Sequence, residues 1–314
     1  MAGFDVSLLT AYTAKATEIL RESVLLSDNV IEDYTIQPGI KYKEYLNFLD
    51  ATPVAQAAAC GLSASGSNIL TEKEITVAGY AFRDSFCVVD LEAKALPLMA
   101  GSFNGLESSV EETLTLAQME KIEDKLWYDR WFGRTGSGNL INGWYYYANA
   151  ATDNIETATT GDSWSAVTIS NINDLVEEFV AAISADMWAK VTDTEHLTLY
   201  MSIKNYNLYK QYLIKNFGAL AVTNVTQEGP TSCWIAGYEN QIVVKGIKAF
   251  DTAAVSNNPM ILTYSKNLVL GVDEISEMSS AKWVYDEVTD YLWFKVSLKQ
   301  GCQIKFTPEI VTNF

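Results

Sequence analysis

The stretch SSVEETLTLAQMEKIEDKLWYDRW, Ser108–Trp131, decides the fold class of this 314-residue chain. Its apolar residues recur every three or four positions, as at Leu116, Met119 and Leu126, which is the period of an amphipathic helix. A serine at the start can cap the helix, acidic residues follow in the first turn, and Gly133 stops it. The pattern predicts a helix roughly 35 Å long, long enough to form the backbone of a layer.

The residues before this helix alternate polar and apolar side chains, which is typical of β-strands. Thr71–Val77 forms one predicted strand, and Arg83–Asp90 is its predicted return strand. Together they predict an extended hairpin with little core of its own. Because a two-stranded ribbon is marginal in water, we expect a partner surface to support it. Farther upstream, Val6–Val30 has helical spacing, and this helix either forms an arm that packs elsewhere or lies on the same core.

The second half of the chain mixes helical and strand patterns. A helix with a clear apolar stripe is predicted at Asn171–Lys190, and another at Asn205–Phe217, directly after the buried strand Leu197–Met201. Further strands are predicted at Cys233–Ile235, Gln241–Lys245, Met260–Tyr264, Leu268–Asp273 and Lys282–Tyr285.

The chain ends with a predicted hairpin. Its strands are Tyr291–Leu298 and Gln303–Phe306, and Lys299–Gly301 would form the turn. The order of elements along the chain is a helix, a β-hairpin, a long helix and then mixed helices and strands. That order predicts the α+β class.

The composition limits what the protein can do. Hydrophobic residues make up 48% of the chain and charged residues 19%, so the chain folds into a globular core. A net charge of −17 repels phosphate backbones and argues against sequence-specific nucleic-acid binding. No stretch has the roughly 20 apolar residues of a membrane span, and the N-terminus lacks the features of a signal peptide. Four scattered cysteines lack metal-type spacing, so we expect neither a metal nor a cofactor: Cys60, Cys87, Cys233 and Cys302.

The sequence offers little for catalysis. His196 is the single histidine, and with Cys60 it gives the sharpest enzyme hypothesis, a Cys–His dyad. The residues around Cys60 do not match a papain-type signature, and His196 is better interpreted as a surface or strand-edge residue. The paired acids Glu111–Glu112 and Glu177–Glu178 suit a helix N-terminus and a solvated helix face. We therefore predict no catalytic residues and favour a structural protein that assembles with copies of itself.

Five short stretches of the second half resemble the HK97-type major capsid proteins of tailed bacteriophages. In that family a strand leads directly into a helix of the axial domain, as it would at Leu199–Tyr206. The other four resemble later strands of the family: Gln241–Lys245, Leu268–Asp273, Trp293–Cys302 and Pro308–Val311.

In the N-terminal half, Ile36–Lys41 and Leu126–Gly133 resemble motifs in capsid proteins of crAss-like, Bacteroidetes-type phages. Each motif is short, and the weight of the resemblance comes from the order of the parts over nearly the whole chain.

The resemblance implies an HK97-like fold with five segments. They are an N-terminal arm (1–51), an extended β-hairpin called the E-loop (52–100), the spine helix with part of the peripheral domain (101–170), the axial domain (171–267) and the return of the peripheral domain (268–314). Side chains of the E-loop then contact neighbouring subunits, and we expect these to be Ile75, Val77, Tyr80, Phe82, Arg83 and Phe86.

The same resemblance implies the partners. Copies of the chain would form hexamers and pentamers of an icosahedral shell around double-stranded DNA, which they would touch only non-specifically. A separate scaffolding protein, a portal protein and decoration proteins would take part, and no membrane would be involved. Assembly would take place in the bacterial host cytoplasm, and the mature protein would reside in the virion capsid. Two other interpretations stay open: another virion structural or carbohydrate-adhesion protein, and a glycan- or peptide-hydrolysing enzyme.

Overall fold

The computed structural model of the protein describes most of the chain from Tyr34 onward. The described residues are 34–53, 66–87, 106–151, 153, 155–156, 167–192, 195–217, 232–235, 237–252, 258–264, 266–273, 280–286, 289 and 291–313. The predicted helix Val6–Val30 and the candidate nucleophile Cys60 lie outside these residues.

The described part combines helices with three sheets. The helices are α1 (Leu106–Phe132), α2 (Trp144–Ala150), α3 (Ile172–Ala181), α4 (Ala185–Trp188), α5 (Ile203–Phe217) and α6 (Lys248–Thr252), with a 3-10 turn at Thr307–Glu309. The strands are β1 (Tyr34–Gln37), β2 (Lys43–Pro53), β3 (Gly66–Thr76), β4 (Ala78–Cys87), β5 (Ile155–Glu156), β6 (Leu197–Ser202), β7 (Ser232–Trp234), β8 (Ile242–Ile247), β9 (Ile261–Tyr264), β10 (Leu268–Val272), β11 (Ser280–Asp286), β12 (Tyr291–Ile304) and β13 (Val311–Thr312). The predicted α+β class is confirmed.

The long helix forms where the sequence predicts it. α1 buries Met119, Ile122 and Leu126, which lie three or four positions apart and share one face. It ends at Gly133, whose N–H donates to the Asp129 carbonyl at 3.0 Å. A Cβ on Gly133 would stand 2.4 Å from that oxygen, so no larger residue fits this helix end.

A five-stranded sheet packs on the long helix. Its order is β1-β10-β12-β11, and β4 pairs with the other edge of β12. The prediction of a terminal hairpin is wrong, because Tyr291–Ile304 is one continuous strand. The residues of the predicted turn stay extended because they pair with strands on both sides. Gln300 pairs with Ala78 of β4 and with Val272 of β10, and Gly301 pairs with Gly271.

The predicted pairing of the upstream hairpin is also wrong. β3 pairs along its whole length with β2, and β4 pairs with β12 instead of folding back onto β3. Val77 alone separates β3 from β4, so there is no room for a hairpin turn between them. Strands β2 and β3 form a separate two-stranded sheet, called the ribbon below. The chain leaves this ribbon after Thr76 and continues as β4 in the five-stranded sheet.

The six-stranded sheet has the order β5-β13-β9-β6-β8-β7 and a core of its own with α3, α4 and α5. The strand-then-helix step is confirmed: β6 leads directly into α5, whose first N–H groups donate to Asp251 at 3.0 and 3.2 Å. The single helix predicted at Asn171–Lys190 is divided into two helices. Ser184 accepts a hydrogen bond from Met187 N–H and so caps α4.

The predicted apolar stripe survives this break. All four of its residues are buried in the second core: Leu175, Phe179, Ile183 and Met187. That core draws mainly on residues 172–264, within the predicted axial segment. It adds Val311 and the partly buried Phe306 from the C-terminal segment, and the partly buried Ile155 and Val167 from the segment before it. The segment boundaries themselves stay a prediction.

Candidate assembly surface

The ribbon is the separate two-stranded sheet β2–β3. Eleven register pairs join its strands, from Lys43↔Thr76 to Pro53↔Gly66. At roughly 3.3 Å per residue such strands span about 36 Å. Within the described residues, neither strand pairs with any other strand. The ribbon therefore leaves most of its length without a neighbour in a sheet.

The two faces of the ribbon differ at its base. Register and alternation place Ile75 and Leu46 on one face, and both pack against the body of the chain in a small cluster with Ile40. The opposite face carries Tyr45, which is 62% exposed, beside the exposed ion pair of Lys43 with Glu74 at 2.6 Å. Lys43 and the neighbouring hydroxyl of Thr76 hold the pKa of the Glu74 carboxyl below its usual value. The outer face is thus aromatic and charged.

The base of the ribbon is tied to the five-stranded sheet. Val77 N–H donates to the Tyr42 carbonyl at 2.8 Å, which joins the residue before β2 to the residue after β3. The Gln303 side-chain amide donates to the Glu74 carbonyl at 2.6 Å. A Cβ on Gly271 would stand 2.7 Å from Cδ1 of Ile75, so a larger residue at position 271 would force the end of the Ile75 side chain to move.

A buried polar cluster joins the strand that continues the ribbon to the long helix. The Tyr80 hydroxyl donates to Asp129 at 2.9 Å, and Lys125 donates to the same carboxylate at 2.7 Å. One residue farther along α1, the Arg130 guanidinium donates to the Gln300 side chain at 2.9 Å. Burial and the Asp129 charge raise the pKa of Tyr80 far above its usual value, so the hydroxyl keeps its proton and its hydrogen bond. These contacts fix β4 and β12 against α1.

The structure separates the six residues predicted to contact neighbours. Ile75, Val77 and Tyr80 are buried within the chain, at 0%, 3% and 4% exposure. These side chains lie in the chain's own core, and their predicted contact role stays a prediction. Phe82 and Phe86 are partly buried against the same core.

Arg83 is the exposed member of the predicted set, and its contact role stays a prediction. Sequence reasoning missed Tyr42 and Tyr45, which are 67% and 62% exposed at the base of the ribbon. The available signal was the alternation of Leu46 and Phe48 with more polar neighbours in Lys43–Pro53, which is typical of a strand.

The groove between α3 and α5 is a cavity of about 550 Å³ with an apolar, aromatic lining. Glu177 is the one carboxylate among its described lining residues, and His196 is not part of it. His196 lies half-buried with its ring 5.3 Å from that of Trp234. Within the described ranges, no three His, Cys, Asp or Glu residues are grouped to hold a metal ion. None of the described helices is both long and apolar enough to cross a membrane.

No family model matches this chain, and no curated protein matches it either. Its structure is similar to solved capsids. The capsid of an empty GTA particle has a TM-score of 0.53 at 12% identity, with 93% of this chain and 89% of that chain covered. The capsid of Myoviridae phage XM1 has a TM-score of 0.53 at 11% identity, with coverage of 88% and 86%.

A virus-like particle from Pyrococcus furiosus extends the comparison beyond these two particles. It has a TM-score of 0.50 at 11% identity, and the match covers 96% of this chain and 99% of that one. This match spans nearly the whole length of both chains. The chain therefore has the HK97-type capsid fold.

Proposed function

We propose that this protein is the major capsid protein of a tailed bacteriophage and assembles into the hexamers and pentamers of an icosahedral shell around double-stranded DNA. The observation that carries the proposal is the capsid fold over nearly the full chain length, with 93% and 89% of the two chains covered in the GTA comparison. The narrower assignment to crAss-like phages stays a prediction.

The ribbon supports this role. A two-stranded ribbon is marginally stable in water unless another surface covers one of its faces. Here the body of the chain covers the inner face at the base, through Ile75 and Leu46, while Tyr45 and Glu72 on the outer face are exposed. A neighbouring copy is the natural surface for the rest of the ribbon, because a shell is built from many copies of one chain in repeated contacts.

The proposed role is structural and not catalytic. We propose that the ribbon, 43–76, takes the place of the hairpin predicted at 52–100, with segment 1–42 as the arm before it. The remaining segments keep their predicted roles as spine helix, peripheral domain and axial domain. A separate scaffolding protein, a portal protein and decoration proteins are proposed partners, DNA contacts are non-specific, and assembly takes place in the bacterial cytoplasm.

The test is direct. The purified full-length chain is examined by sedimentation velocity over a wide range of protein concentration, with and without a scaffolding protein, and by negative-stain microscopy. We expect closed shells, or capsomers with five and six copies. A chain that stays monomeric under every condition would overturn the proposal. A monomer that hydrolyses a model glycan or peptide would establish the enzyme instead.

A further inference from the structure

Three basic residues lie side by side across the five-stranded sheet. Arg83 of β4 is the register partner of Lys295 in β12, and Lys295 is in turn the register partner of Lys282 in β11. Directly paired residues in antiparallel strands lie on the same face. The three residues therefore form one basic row across three neighbouring strands.

The row lies on the face of the sheet turned away from the long helix. Along β12, Phe294 and Val296 on either side of Lys295 are buried, whereas Lys295 itself is exposed. Along β4, Asp84 accepts a hydrogen bond from Gln118 of α1 at 2.6 Å, so the alternating position Arg83 faces the other way. Arg83 is exposed as well.

The flanking register positions carry no negative charge. The neighbouring row on one side is Ala81, Ser297 and Ser280, and on the other side Ser85, Trp293 and Val284. In a chain with 39 acidic and 22 basic residues, this part of the sheet thus has two exposed cations side by side, Arg83 and Lys295, with no carboxylate at these flanking register positions.

This arrangement is unfavourable in an isolated chain. Like charges directly opposite each other on neighbouring strands destabilise a sheet. Within the described residues, neither Arg83 nor Lys295 forms an ion pair, and Lys295 instead lies over the Trp293 ring at 5.8 Å. A row of this kind becomes favourable when an external anion covers it.

The ribbon of a second copy has the matching chemistry. Its two strands contain four carboxylates and two lysines, and Lys43 is already paired with Glu74. Glu72 is exposed, forms no ion pair with any described residue, and shares the outer face of the ribbon with Tyr45. The chain's own Glu72 is poorly placed for this contact, because Arg83 lies seven residues past the ribbon's last residue, Thr76, which is about 23 Å of extended strand.

We propose that the basic row receives the outer face of a second copy's ribbon, with Glu72 between Arg83 and Lys295 and Tyr45 beside Trp293. The spacings agree: Lys295 and Trp293 are two residues apart on one strand, about 7 Å, and Glu72 and Tyr45 are diagonal neighbours across the ribbon, about 7–8 Å apart. This inference rests on the proposed function, because it requires that copies of the chain meet in a shell.

The key variant is Lys295→Glu, which turns the row into an alternation of positive, negative and positive charge. The unassembled subunit should become more stable, with a Tm higher by about 1–3 °C, because the repulsive cross-strand pair of Arg83 with Lys295 becomes attractive. The yield of shells should nevertheless fall about tenfold or more, because every contact between copies loses the attraction between Glu72 and Lys295. A purely structural role of Lys295 would not raise the Tm and lower assembly together.

The second variant adds Glu72→Lys to Lys295→Glu, which restores an opposite-charge contact between copies, and shell yield should recover. Lys215→Glu makes the same charge change in the last turn of α5, where Lys215 is exposed, and serves as the control. Thermal unfolding, sedimentation velocity and negative-stain microscopy give the readouts.

Each other result has a definite meaning. Normal shells from Lys295→Glu overturn the inference and leave the proposed function intact. Failure of Glu72→Lys to restore shells, or an equal loss of shells from Lys215→Glu, also overturns it. If Lys295→Glu forms normal shells but binds a short DNA duplex more weakly, the basic row binds phosphate groups and not the ribbon of a second copy. If the wild-type chain forms no shells, the proposed function fails first.

Discussion

Gly301 of the longest strand passes directly beneath Thr76, the last residue of the ribbon. A Cβ placed on Gly301 would stand 2.2 Å from the Thr76 carbonyl oxygen and 2.9 Å from the carbonyl carbon. The backbone of β12 thus touches the backbone of the ribbon base, and the absence of a side chain at position 301 is what permits the contact.

Gly301→Ala should destabilise the chain, because the added methyl group meets backbone that has no room to move. The expected cost is about 1–3 kcal/mol, or more where the strand itself must shift. Chemical unfolding measures it. The control is Gly79→Ala on the neighbouring strand, where a Cβ meets nothing within 4 Å, and where stability should be unchanged or slightly raised. Equal stability of the two variants would contradict the close contact.

Tyr80→Phe should cost about 1.5–3 kcal/mol, because it removes a hydrogen bond to the buried Asp129 carboxylate. Tyr128→Phe is the matched control on the adjacent helix turn and should change stability by no more than about 0.5 kcal/mol. Denaturant unfolding of both variants gives the comparison. A Tyr80→Phe variant as stable as the control would show that the Tyr80–Asp129 contact does not hold β4 on the helix.

Stability should fall with rising pH above about pH 9. Burial raises the pKa of Cys302 from 9.0 to about 12, and that of Cys233 to about 11. Between pH 9.0 and the raised pKa values, these thiols have lost their protons in the unfolded chain and keep them in the folded chain. The folded state then binds more protons than the unfolded state, so the free energy of unfolding falls as the pH rises.

This pH dependence is checked by thermal unfolding from pH 8 upward in a reducing buffer. Cys302→Ala lowers stability at every pH through lost packing, but it should also flatten the alkaline decline. A decline of the same steepness in the variant and the wild type would assign it to other groups.

Shortening the ribbon should abolish assembly and leave the fold intact. Replacing residues 47–72 with Asn-Gly joins the register partners Leu46 and Lys73 by a tight turn. The base residues Leu46 and Ile75 keep their contacts with Ile40, so the Tm of the subunit should change by no more than about 2–4 °C. Sedimentation and microscopy should find no shells. Normal shells from this variant would show that the ribbon is not needed for assembly.

Local periodicity accounts for what the sequence predicts well. Met119, Ile122 and Leu126 recur at helical spacing without interruption, and β6 is buried at all six positions, so both elements are visible from their residues alone. Alternation identified Thr71–Val77 as a strand but not its partner, because pairing depends on which strand the fold brings alongside. The break before α4 depended on Ser184, whose capping bond needs the folded geometry.

The basic row could not be predicted for the same reason. Its three members come from separate strands, and Arg83 and Lys295 are far apart in sequence. The pairing of β4, β12 and β11 brings them together. Alternation in Lys43–Pro53 indicates a strand beside the exposed Tyr42 and Tyr45, but it does not show which face of that strand the body of the chain covers.

The passage of one extended segment from ribbon to sheet has a mechanical consequence. A neighbour pulling on the ribbon pulls along β4, which is joined to β12 by ten register pairs from Ala78↔Gln300 to Cys87↔Tyr291. Tension along a strand loads all its ladder hydrogen bonds in parallel, whereas tension across a strand breaks them one after another. In the proposed shell, internal pressure would therefore be carried by the whole length of this ten-pair ladder.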